Sequence, residues 1–107
     1  LRPLIIAMVD RQVRRTLWGQ GIGRHAQADI DRLAVADIDA LAGMLADRDY
    51  LFGSEPCGAD ATVFAFVQSA LCPLFEGPIL ATARGHANLV AYRDRGVQRW
   101  YADLAAA

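Results

Sequence analysis

Few residues of this chain could do chemistry, and their spacing argues against most of it. The histidines, His25 and His86, lie far apart, and no Cys, Asp or Glu cluster joins them at metal-ligand spacing. Both read as loop histidines, and no metal site is expected. Ser54 and Ser69 have no neighbouring base, and Cys57 is distant in sequence from either histidine. No nucleophile triad follows, and no catalytic residue is expected. The glycines at 19, 21 and 23 imitate a phosphate loop, but such a loop needs a preceding strand. Here a helical pattern precedes it, so Gly19 to His25 reads as a bend between helices. Arg2, Arg11, Arg14, Arg15 and Arg24 face only Asp10 in the N-terminal quarter, and a basic helix can touch phosphates. The whole chain carries a net charge of −1, however, which gives no field to gather nucleic acid or membrane. Neither partner is expected.

The sharpest chemical signal is Asp60, and its use is structural. Cys57-Gly58-Ala59-Asp60 has the layout of a capping box, an N-cap residue followed three positions later by an acid. The acid reaches back to the free N–H of the N-cap residue, and its charge sits at the positive end of the helix dipole. The helix it opens, Gly58 to Leu71, is apolar nearly all round, which marks a buried central helix. Water cannot reach the first N–H groups of a buried helix, so the acid is needed there. Cys57 is the weak half of the cap, because a thiol is a poor acceptor.

Other elements must hold that helix. Leu4, Ile5, Met8, Val9, Val13 and Leu17 form a stripe on a first helix, from Pro3 to about Gln20, with Trp18 extending it. Ile30, Leu33, Ala34, Ile38, Leu41 and Leu45 give a narrow apolar face to a second helix, from about Gln27 to Ala46. Asp47 to Cys57 is a loop, with Tyr50-Leu51-Phe52 pinned to the core by its side chains. A short helix starts near Pro78. A last helix starts near Ala87 or Asn88, with Leu89, Val90, Tyr92, Val97 and Trp100 facing inward. Ala105 to Ala107 should fray. The expected fold is an all-α bundle of about five helices.

At 107 residues the chain is one domain, long enough to bury a core without disulfides or metals. Its 11 basic residues are all Arg. Cys57 and Cys72 bracket the central helix, so a rise of about 1.5 Å per residue puts them roughly 20 Å apart, too far to pair. Two reduced thiols suit a cytoplasmic protein, and no signal peptide or membrane span is visible. The chain opens at Leu1 inside an apolar stretch, so coding sequence is expected upstream.

Three stretches resemble one family. Phe52-Gly53-Ser54-Glu55-Pro56-Cys57-Gly58-Ala59-Asp60-Ala61-Thr62-Val63-Phe64 is similar to the segment that opens the central helix in the C-terminal domain of glutathione S-transferases. His86-Ala87-Asn88-Leu89-Val90-Ala91-Tyr92 is similar to a later helix of that domain, with Ala87 where the family has Pro. Leu17-Trp18-Gly19-Gln20-Gly21-Ile22-Gly23-Arg24-His25 resembles the branch that includes metaxins, failed-axon-connections proteins and their bacterial relatives. The family prefers Ser or Thr where this chain has Cys57.

The resemblance implies a partner, a thioredoxin-like domain upstream of residues 1–107 that binds glutathione as co-substrate and carries the catalytic Tyr, Ser or Cys. No cofactor falls to this chain. Its implied share is one wall of the hydrophobic-substrate pocket and part of a homodimer interface. Trp18, beside the glycine bend, is the candidate substrate contact, against a plain role in core packing. The alternative implied function is a non-enzymatic, metaxin-like assembly module.

Overall fold

A computed structural model describes residues 1–105 of the chain. They form two units, Leu1–Leu33 and the residues from Ala34 onward, each held by its own contacts.

The N-terminal unit is built on α1, Arg2–Gln20. Pro3 falls in its first turn, where the missing N–H has no helical partner to lose. Gly21 ends the helix at φ 106°, a conformation that side chains other than glycine's resist. Its N–H is shared between the carbonyls of Leu17 (3.1 Å) and Trp18 (3.2 Å). A 3₁₀ turn, Ile22–Arg24, then folds back on the helix end. A Cβ on Gly23 would stand 2.7 Å from the Trp18 nitrogen, so only glycine allows that approach. Arg24 completes the turn, its Nε donating to the Trp18 carbonyl at 2.8 Å. The glycine run is thus a helix stop, as its context implies. None of the residues of the α1 stripe is buried.

α2, Gln27–Leu45, starts in the first unit and continues into the second. The C-terminal unit adds α3 (Gly58–Ala70), α4 (Pro78–Gly85), α5 (Ala87–Trp100) and a four-residue α6 (Ala102–Ala105). The fold is all-α, with no strand among the described residues. Six α-helices occur among the described residues, in line with the expected bundle of about five, the sixth being a single turn that follows the break at Tyr101. Of the stretch expected to fray, Ala105 closes α6 and the last two residues lie outside the described part.

The core of this unit joins Leu45, Tyr50, Leu51, Phe64, Val67, Leu89 and Tyr92. α2 stops one residue short of its expected end, where Ala46 turns left-handed at φ 52°. Asn88 Nδ2 donates to the carbonyls of Ala42, which also accepts the Ala46 N–H, and of Ala46, both at 2.9 Å, and so fastens α5 to the end of α2. In the following loop Tyr50 and Gly53 form a single antiparallel bridge, at 3.0 and 3.4 Å. Tyr50 and Leu51 are buried, but Phe52 is 74% exposed, so the three do not all anchor the loop. The bridge reverses the chain between Leu51 and Gly53, which carries Phe52 outward.

α3 departs most from expectation. Its sequence asks for burial nearly all round, yet only Asp60, Phe64 and Val67 are buried. Phe64 packs edge-on to Trp100 at 5.3 Å and stacks on Tyr101 at 6.0 Å. On its opposite face Phe66 is 70% exposed.

Candidate functional site

The N-terminus of α3 is the best-organised polar site in the chain. Cys57 takes an extended conformation (φ −124°, ψ −179°) that aims its N–H at the first turn. Asp60 Oδ2 accepts that N–H at 2.9 Å. The carboxylate does more than cap. Oδ1 accepts the Leu51 N–H at 3.2 Å, from the loop, and the Tyr92 hydroxyl at 2.8 Å, from α5. Asp60 is wholly inaccessible to solvent and Tyr92 is 1% exposed. One side chain therefore ties a helix start, a loop and a second helix. Burial works to raise the Asp60 carboxyl. The hydrogen bonds from Cys57, Tyr92 and Leu51 outweigh it and hold the group below the ordinary carboxylate value. The Tyr92 phenol moves the other way, pushed up by burial and then by the adjacent Asp60. The pair is therefore a carboxylate accepting a hydrogen bond from a neutral phenol, an arrangement that suits holding the helices together.

A second feature is apolar. α2, α3 and α4 leave a groove of about 680 Å³ between them. Ile38, Leu41 and Val67 are among the side chains that form it, with Met44, Phe66, Phe75 and Ile79. The last four are 57%, 70%, 74% and 40% exposed. Asp37 is its one charged member. Volume and lining suit an apolar guest.

The remaining candidates are placed as follows. Trp18 is 59% exposed and belongs to no core cluster, and the Arg24 guanidinium lies 5.7 Å from its ring centre. His25 closes the 3₁₀ turn, its N–H on the Ile22 carbonyl at 3.2 Å. His86 is the N-cap residue of α5, its Nε2 2.7 Å from Asp39 of α2. Cys57 is exposed, Cys72 half-buried, and both are free thiols. No group of three metal-binding side chains occurs among the described residues. Among the described residues no helix is long and apolar enough to cross a membrane.

Sequence reasoning missed three members of this arrangement. Leu51 contributes only a backbone N–H, which no side-chain pattern can announce. Tyr92 reads as one more apolar position of α5, and Asn88 as a plain first-turn residue. Only the fold brings the three to Asp60 and to the end of α2.

No solved structure matches the chain. A family model, described as the C-terminal domain of glutathione S-transferase, matches residues 34–96, which is 63 of the 107. The match runs from the middle of α2 into α5 and takes in the Asp60 site, the groove and both of the capping residues His86 and Asn88. The chain thus belongs to the family of glutathione S-transferase C-terminal domains.

Proposed function

We propose that this chain is the helical half of a two-domain, glutathione-transferase-like protein. Its part there is to supply an apolar wall for the electrophile and part of a dimer interface. A thioredoxin-like domain of the same protein binds glutathione and activates its thiol. The carrying observation is the family match over residues 34–96, joined to the nature of the polar groups inside it. Asp60 and Tyr92 are committed to holding helices together, while the open surface is apolar. Such a chain offers hydrophobic contact. Trp18 extends the apolar surface of the N-terminal unit and is the candidate electrophile contact in that unit. The metaxin-like module is the competing reading, and the exposed apolar residues of α1 favour it as much as they favour an enzyme.

Titration calorimetry with reduced glutathione tests the division of labour. The 107-residue chain should give no one-site micromolar isotherm, and the protein carrying the thioredoxin-like domain should. One-site micromolar binding by the chain alone would overturn the proposal. Glutathione binding by the longer protein without conjugation of an aromatic halide would decide for the assembly module.

A further inference from the structure

We draw no further inference here: the strongest candidate, the apolar groove among α2, α3 and α4 with the exposed Phe66 and Phe75 in its lining, carries nothing because nothing in the structure shows what covers it.

Discussion

Replacing Tyr92 by Phe removes one oxygen and nothing else, which makes it the cleanest probe of the Asp60 site. The hydroxyl donates to Asp60 Oδ1 at 2.8 Å, with both residues cut off from solvent. A hydrogen bond to a charged group is worth about 1.5–3 kcal/mol. The phenyl ring stays in contact with the Tyr50 ring, whose centre lies 6.3 Å away, so little packing is lost. For a domain of about 100 residues each kcal/mol moves Tm by about 4–8 °C. Tyr92→Phe should therefore lower Tm by at least about 6 °C. Asp60→Ala should do far more. It strands the Leu51 and Cys57 N–H groups, at about 1–3 kcal/mol each, and leaves the Tyr92 hydroxyl only the longer bond to the residue 60 carbonyl at 3.3 Å. Whole domains hold only about 5–15 kcal/mol, so that variant should be largely unfolded. Asp60→Asn keeps an accepting oxygen and should fall between. The parent, Tyr92→Phe, Asp60→Asn and the double variant form a cycle whose coupling should be well above the scatter of distant pairs, about 0.5 kcal/mol. Thermal melts by circular dichroism measure all of it. A Tyr92→Phe variant that melts within about a degree of the parent would refute the reasoning, since the hydroxyl would then contribute nothing to a charged partner.

The same site fixes the response to pH. Asp60 is held below its ordinary 3.8, so its stabilisation is present above that value and disappears as pH falls through the lowered folded value. Tyr92 is raised from 10.0, so its contribution is complete below that pH and is lost as pH rises beyond it. Tm should thus be flat near neutrality and fall at both ends, and Asp60→Asn should blunt the acid limb. Gly96→Ala should cost about 1–3 kcal/mol by overpacking, because a Cβ there would collide with the buried Phe64 ring; a melt shows it. Trp18→Ala should lower Tm by only a few degrees, losing a stacking contact of about 0.5–1 kcal/mol with Arg24. In the longer protein the same change should raise KM for the electrophile. Native thiol titration should find two reactive groups, with the exposed Cys57 faster than Cys72.

What the sequence made legible was the local physics. Proline and glycine positions place the starts of α1, α3 and α4 and the stop after Gln20, because backbone restrictions act within a few residues. The Asp60 cap is legible for the same reason, since donor and acceptor lie three positions apart. The other two donors on Asp60 are not. Leu51 and Tyr92 arrive through a loop reversal and through the docking of α5, which no short-range pattern encodes. The apolar run of α3 was informative in a different way. It states how much cover that helix requires, and the folded unit meets the requirement on the Phe64 side but not on the Phe66 side. The stripe of α1 makes a similar demand, with Ile5, Val9, Val13 and Leu17 between 40% and 55% exposed. Composition predicts that such surfaces need partners but cannot say which. Phe52 shows the converse limit: an aromatic in an apolar triplet reads as core, while the bridge between Tyr50 and Gly53 turns it outward.

Steady-state conjugation of glutathione to an aromatic halide, measured for the longer protein and for the 107-residue chain side by side, tests the proposed division of labour most directly. The account predicts turnover by the protein that carries the thioredoxin-like domain and none above background by the chain alone. Turnover by the isolated chain would contradict it, because the proposal assigns thiol activation to the thioredoxin-like domain.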